Sequence, residues 1–313
     1  MQEVAIEAKQ MLVGGDWVDS AGGEFIDIEN PGRRTVCGRV PRGNAQDVDL
    51  AVASATKAFA DWARRPGRER GRILLDIAAV IESRINELGL LIATETGNAL
   101  RTQARPEAGL AADVFRYYGG LASELKGETL PLGEGLLSYS RREPIGVVGA
   151  IIPWNAPVGL GAMKIAPALA TGNTIVLKAA EDAPLGVLML AQICHEFLPP
   201  GVLNVLTGYG EDCGVALANH PGIGKLSFTG STEVGRSIMR AASDRLVPVS
   251  LELGGKSPSI VYPDANEEWV VDGIGMAMRF TRQSQSCTAG SRLFLHDDIF
   301  DSFMEKLVEK TSA

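Results

Sequence analysis

Hydrophobic positions change their spacing along this chain, and the changes divide it. Residues 45–64 carry Val48, Val52, Ala55, Phe59 and Trp62 at three- and four-residue intervals, one face of an amphipathic helix. A second such face follows with Ile73, Ile77, Ile81, Ile85 and Leu88, and Gly97 lies near its end. A third helix is expected from about Pro106 to Leu125. Ahead of these, "MLVGGDWVDSAGGEFIDIENP" reads as a short β entry. Residues 127–143 are turn-rich, alternate only weakly, and read as a protruding hairpin outside the core.

From Pro144 a different rhythm begins. "IGVVGAII" is a continuous apolar run suited to a strand buried on both faces. A helical stretch from Leu160 to Ala170 follows, then strand "NTIVLK", helix 183–198, strand "GVLNVLTG" and helix 211–219. Strand "IGKLSFTG", helix 232–243 and strand "VPVSLELGG" complete the series. Strands joined by crossover helices lie parallel, so the pattern predicts a doubly wound α/β sheet of the dinucleotide-binding class. A further unit opens at "SPSIVY", with a helix from about Glu267 to Arg282, a loop, strand "SRLFLH" and helix 298–310. Ile299, Phe303 and Leu307 share one face of that last helix, and the pattern offers nothing to cover it.

Composition adds exclusions. The 313 residues, 45% hydrophobic, suffice for about two domains. Thirty basic against thirty-eight acidic residues leave a charge of −8, which disfavours nucleic acid or an anionic membrane as partner. The clusters Arg64-Arg65 and Arg68 to Arg72 read as solvated helix ends. Cys37, Cys194, Cys213 and Cys287 show no CxxC spacing, which points to free thiols in a reducing compartment. Cys194-His195, His220 and His296 form no metal-ligand pattern. The N-terminal residues have no apolar signal core and no stretch reaches membrane-spanning length, so a soluble cytoplasmic protein is expected.

Candidate chemistry gathers at strand ends. "FTGSTEVG" places Gly230 and Ser231 at a strand-to-helix turn, where free N–H groups attract phosphate, although any such turn can contain glycine. In "VLKAAE", Lys178 and Glu181 could hold a ribose diol or form a plain surface ion pair. Asn155 in "PWNAP" is a stiffly held amide suited to an oxyanion, or a turn former. Glu252 in "LELGGKSP" ends an apolar strand. If buried, its raised pKa would make it a base near neutrality; otherwise it is an exposed strand-end carboxylate. Cys287 sits in "TRQSQSCTAGSR" among small and polar residues, unlike the apolar surroundings of most unpaired cysteines.

In order and spacing, "PWNAP", "VLKAAE", "FTGSTEVG", "LELGGKSP" and "QSCTAGSR" resemble the motifs of the NAD(P)-dependent aldehyde dehydrogenase superfamily. The resemblance covers the whole chain. It implies a dinucleotide-binding domain from 1–126 and 144–253, an oligomerisation hairpin at 127–143, and the N-terminal part of a catalytic α/β domain at 254–313. By similarity, Cys287 attacks an aldehyde to give a thiohemiacetal and then a thioester, with Asn155 and the Cys287 N–H stabilising the oxyanion. Glu252 activates the water that releases the carboxylic acid; members that transfer the acyl group to coenzyme A generally lack this glutamate. Lys178 and Glu181 are implied contacts of the adenosine ribose, Gly210 and Gly214 of the adenine end, and Ser231 of the pyrophosphate. Ile151, Pro153, Trp154, Phe228, Gly230, Gly235 and Leu253 complete the implied cofactor contacts. Glu181 would oppose a 2′-phosphate, so NAD is expected, with NADP as the alternative.

Departures from the family pattern matter too. Arg282 and Ser284 stand where the usual Asn-x-Gly-Gln-x-Cys has Asn and Gly, and Ala179-Ala180 replace Pro-Ser. Ala156, Val158, Gly159, Leu160 and Met163 suggest a roomy apolar entrance for aromatic or long aliphatic aldehydes. The family continues beyond residue 313 through a Glu-x-Phe-Gly-Pro motif and a strand that partners the hairpin. The chain therefore reads as C-terminally truncated, with little activity expected alone and with the family's dimer or tetramer put in doubt. The alternative is an inactive dinucleotide-binding or structural protein. A cysteine hydrolase is disfavoured, because His296 is the only histidine near Cys287 in sequence.

Overall fold

Among the described residues, six short strands and four α-helices precede the parallel strands that the apolar runs build. The computed structural model describes residues 9–312. The first four strands are β1 (Met11–Val13), β2 (Asp16–Val18), β3 (Phe25–Asn30) and β4 (Thr35–Pro41). Helix α1 (Ala45–Arg64) opens with a capping box in which Asn44 and Asp47 satisfy each other's backbone N–H groups. Its expected face is buried at Val48, Val52, Ala55 and Trp62.

The second expected helix is two helices. α2 (Gly67–Ser83) and α3 (Ile85–Thr96) break at Arg84, whose backbone at φ −109° and ψ 16° leaves the helical region. Each half buries its own face: Leu74, Ile77 and Ile81, then Leu88, Leu91 and Ile92. The isoleucine spacing runs unbroken through the kink, so periodicity alone does not mark it. Gly97 ends α3 in the left-handed conformation, φ 73°. α4 (Arg105–Leu121) stops short of Leu125, and the hairpin follows as β5 (Thr129–Leu130) and β6 (Ser138–Tyr139), paired antiparallel.

The later rhythm gives β7 (Val147–Ile151), α5 (Pro157–Ala170), β8 (Thr174–Lys178), α6 (Leu185–His195) and β9 (Leu203–Leu206). After a π-helical turn at Gly210–Gly214 come α7 (Val215–Asn219), β10 (Lys225–Thr229), α8 (Thr232–Ser243) and β11 (Val249–Glu252). The sheet order is β11-β10-β7-β8-β9-β1-β2, with β7 parallel to both β8 and β10. The chain builds outward from β7 to β9 and then returns to place β10 on the other side of β7. That reversal between β7 and β10 is where doubly wound sheets bind ligands, beyond the strands' carboxyl ends. β1 and β2 extend the sheet antiparallel beyond β9, which the β-like entry did not specify.

Helices α5 and α6 have no capping side chain of their own. Two buried carboxylates from the helical layer supply the caps instead. Glu107 of α4 accepts from the Val158 and Gly159 N–H groups at 3.0 and 3.2 Å. Glu95 of α3 accepts from Leu185 and Gly186 at 2.7 and 2.9 Å. These are the orphan donors that every helix start must satisfy.

The chain forms two compact units, the second beginning at Glu252. In the second unit β12 (Pro258–Val261) pairs in parallel with β13 (Arg292–Leu295), alongside α9 (Glu268–Ala277) and α10 (Phe300–Ser312). α9 is shorter than expected, because Arg279 turns left-handed at φ 57°. The expectation of an uncovered face on the last helix is overturned. Ile299 and Phe303 are buried against Val261, Val271 and Ile274 of the same unit, with Leu307 packed beside them. The cover comes from β12 and α9, a pairing that the helix's own pattern cannot reveal. No described helix is long and apolar enough to cross a membrane.

Burial, with Glu107 nearby, pushes the Glu95 carboxyl up to about 8 despite its two backbone donors. The folded chain then holds a proton that the unfolded chain releases near pH 4.3, so this contribution to stability is lost as pH rises towards 8. Glu95→Gln should flatten that part of the profile. Melting temperatures at about pH 5 and about pH 8.5 should differ less in the variant than in the wild type.

Candidate active site

Strand register brings three expected residues into one row. Ile151, the last residue of β7, pairs with Lys178 of β8 on one side and with Phe228 of β10 on the other. All three lie at the carboxyl edge of the sheet, and the segments that follow β7 to β10 carry the other expected residues of the first unit. The Lys178 ammonium is buried and donates to Glu181 at 2.7 Å, while Glu181 remains partly exposed. Ala179 and Ala180 are buried between them, so the pair forms without the usual proline. Such a pair can hold two vicinal hydroxyls, with the ammonium donating and the carboxylate accepting.

After β10, Gly230 packs against the Phe228 ring, where an added Cβ would lie 2.5 Å from it. Ser231 caps α8, its Oγ accepting from the Val234 N–H at 3.2 Å, and Gly235 is buried in the helix's first turn. Gly210 has open space on its Cβ side, and the nearest atom to an added Cβ at Gly214 is 4.0 Å away. After β7, Pro153 and Asn155 are partly buried and Trp154 is exposed. Among the proposed entrance residues, Ala156, Val158 and Gly159 turn into the protein and are buried. The first turn of α5 folds inward towards Glu107, which leaves Leu160 partly and Met163 largely exposed.

The second unit holds the other two catalytic candidates. Cys287 is exposed, whereas Cys194 and Cys213 are buried and Cys37 is partly so. Burial pushes the Cys37 thiol up to about 11, the Cys213 thiol up to about 12, and the Cys194 thiol higher still. The Ser286 and Thr288 hydroxyls lie 3.0 Å apart on either side of Cys287 in the chain. The glycine pair after Glu252 abuts this loop, since a Cβ on Gly255 would lie 2.6 Å from the Cys287 carbonyl oxygen. Glu252 itself is exposed and Leu253 partly buried, so of the two readings of Glu252 the structure supports the exposed strand-end carboxylate and not the buried one. β11 is the outermost strand of its sheet, so its side chains alternate between half-buried and exposed.

Ser284 adopts φ 59°, the left-handed conformation, at the place where the family pattern has glycine. Gln283 beside it is left-handed as well. Among the described residues no cluster of His, Cys, Asp or Glu could hold a metal ion.

Sequence reading missed the buried polar groups behind this edge: Glu95, Asn98, Glu107 and Lys164. Lys164 lies inside apolar α5 and donates to the Ser227 hydroxyl of β10 at 2.9 Å. The available signal was a charge at core-facing helical positions. Glu95 follows Leu88, Leu91 and Ile92, and Glu107 lies among Ala104, Ala108 and Ala111.

Residues 17–313 match the model of the aldehyde dehydrogenase family, and the chain belongs to that family. It is 42% identical to aldehyde dehydrogenase 1 of Tanacetum cinerariifolium over 306 residues, covering 96% of this chain and 61% of the relative. PnpE from Pseudomonas sp. WBC-3, solved with nicotinamide adenine dinucleotide, is 43% identical with a TM-score of 0.94, covering 96% of this chain and 62% of that one. An NAD-dependent aldehyde dehydrogenase from Sinorhizobium meliloti is 40% identical with a TM-score of 0.94, covering 98% and 61%. The chain thus spans about three fifths of the length of these relatives.

Iodoacetamide should alkylate Cys287 at least ~10-fold faster than the other three cysteines, as read by peptide mass spectrometry, because Cys287 is open to the reagent and burial both shields the others and raises their pKa values. Ser284→Gly should relieve the left-handed serine and stabilise by about 0.5–1 kcal/mol, seen as a higher urea midpoint.

Proposed function

We propose that this chain carries the cofactor and acyl-transfer groups of an NAD-dependent aldehyde dehydrogenase that converts an aldehyde to a carboxylic acid. The observation that carries the reading is the in-register row of Lys178, Ile151 and Phe228 at the reversal point of the sheet. The NAD complex of PnpE supports the choice of cofactor.

NAD fits the residues present. Lys178 and Glu181 would hold the adenosine ribose, and the first turn of α8 at Ser231 would take the pyrophosphate. The open face of Gly210 suits a ligand lying along the backbone. When bound, NAD supplies the hydride acceptor. Glu181 disfavours the additional 2′-phosphate of NADP.

The Cys287 thiolate adds to the aldehyde carbon, forming a C–S bond and an oxyanion. Hydrogen bonds from the Asn155 amide and the Cys287 N–H stabilise that charge, each donor contributing about 3 kcal/mol to the transition state. After oxidation the sulfur carries an acyl group as a thioester. Glu252 takes a proton from the water that attacks it, which frees the acid and the thiol. Exposed Trp154 and Met163, with Leu160, favour apolar aldehydes, aromatic or long aliphatic.

Intact-mass spectrometry tests the reading. With NAD and benzaldehyde, Cys287 should gain a benzoyl group in a slow single turnover, measurable even where steady-state activity is small, while a stoichiometric amount of NADH appears. The adduct should persist in Glu252→Gln and be absent in Cys287→Ser. NAD binding without adduct or NADH would reject the dehydrogenase reading and leave only dinucleotide binding. A clear preference for acetaldehyde over benzaldehyde and hexanal would reject the apolar entrance.

A further inference from the structure

Asn155 lies one residue before the N-cap of α5, so the way that first turn is held decides where Asn155 sits. The turn begins with Ala156 as a cap that offers no side-chain bond, followed by Pro157, which has no N–H. The next two N–H groups, of Val158 and Gly159, both go to one oxygen of Glu107. Glu107 is 2% exposed and belongs to α4, so α5 is anchored from outside by a carboxylate that cannot drift into water. Gly159 permits this approach, since an added Cβ would lie 3.3 Å from the Glu107 Cγ.

A second group holds Asn155 directly. Asn98, 3% exposed, donates its Nδ2 to the Asn155 carbonyl oxygen at 3.4 Å. The Asn98 Oδ1 is buried and has no partner among the described residues. A buried acceptor left unsatisfied is costly, yet the amide keeps the orientation that serves Asn155. Asn98 itself is tied down, its N–H donating to the Thr96 hydroxyl at 3.1 Å just past the end of α3.

We propose that Asn98 and Glu107 are positioning residues that set the Asn155 amide for its role at the oxyanion, Asn98 through the carbonyl and Glu107 through the first turn of α5. This rests on the reading of Asn155 given above and extends it to two residues that touch neither substrate nor cofactor. Neither acts by charge on the reaction. Each restricts the backbone on one side of Asn155, and catalytic hydrogen bonds are sensitive to sub-ångström displacement of the donor.

The test uses the whole chain with ¹⁵N-labelled asparagine. The Asn155 side-chain amide pair is identified by its loss in Asn155→Ala. Asn98→Ala and Glu107→Ala should shift and broaden this pair, whereas Glu107→Gln, which keeps an acceptor oxygen, should leave it near its wild-type position. An unchanged pair in folded Asn98→Ala overturns the proposal, and that variant decides alone if Glu107→Ala fails to fold. In the adduct assay, Asn98→Ala should slow benzoylation of Cys287 by about tenfold or more at unchanged half-saturating aldehyde. It should add nothing in an Asn155→Ala background. A full extra loss in that background overturns the proposal as well. Should Asn155→Ala itself benzoylate at the wild-type rate, the oxyanion role of Asn155 fails, while the amide signal still decides whether Asn98 and Glu107 position it.

Discussion

Backbone N–H groups at a buried helix start must be satisfied by something, and in this chain two carboxylates do it from a distance in sequence. Glu107 closes the start of α5 and Glu95 that of α6, each from a helix laid down before the parallel strands begin. The anchored starts are those of the helices that leave β7 and β8, beside the loops that carry Asn155 and the Lys178–Glu181 pair. Burying a carboxylate is unfavourable, and the raised pKa of Glu95 expresses that cost. The helix-start donors and the positive end of the helix dipole offset it. The helical layer therefore holds the loops at the sheet's carboxyl edge as well as covering the sheet.

That coupling explains why the candidate groups of the first unit lie where they do. Parallel pairing aligns Lys178, Ile151 and Phe228 without reference to any ligand. The strand order then makes β7 and β10 neighbours whose following helices depart from the same edge, leaving two helix starts beside the point of reversal. Small residues allow what side chains would block: Gly230 under the Phe228 ring and Gly255 against the Cys287 carbonyl. In the second unit, exposure singles out Cys287. The other three thiols are withdrawn, and burial holds them protonated.

Much of this was legible in advance, for a definite reason. A strand buried on both faces must be a continuous apolar run, and a crossover helix must repeat near 3.6 residues. Hence β7 to β9 and α5, α6 and α8 stood out in the chain, and β10 and β11 continued the same rhythm of alternating strand and helix. The motifs at their ends were each ambiguous alone and were legible together because their order and spacing resemble those of the family to which the chain belongs. The break at Arg84 was not legible, because the isoleucine spacing passes through it unchanged. Nor was the inward turn of Val158, because an apolar residue after Asn155 suits a substrate wall as well as a core.

The sequence by itself determined the α/β alternation, the position of the hairpin and the identity of the groups able to do chemistry. These follow from local periodicity and from residue type, which need no partner. Tertiary structure alone decided which atoms meet. It chose Glu107 and Asn98 as the neighbours of the α5 start, covered Ile299 and Phe303 with β12 and α9, and left Glu252 exposed on an edge strand. Those outcomes depend on contacts between residues far apart along the chain. No repeat of apolar positions encodes such contacts, because they arise only when separate elements compete for the same buried space.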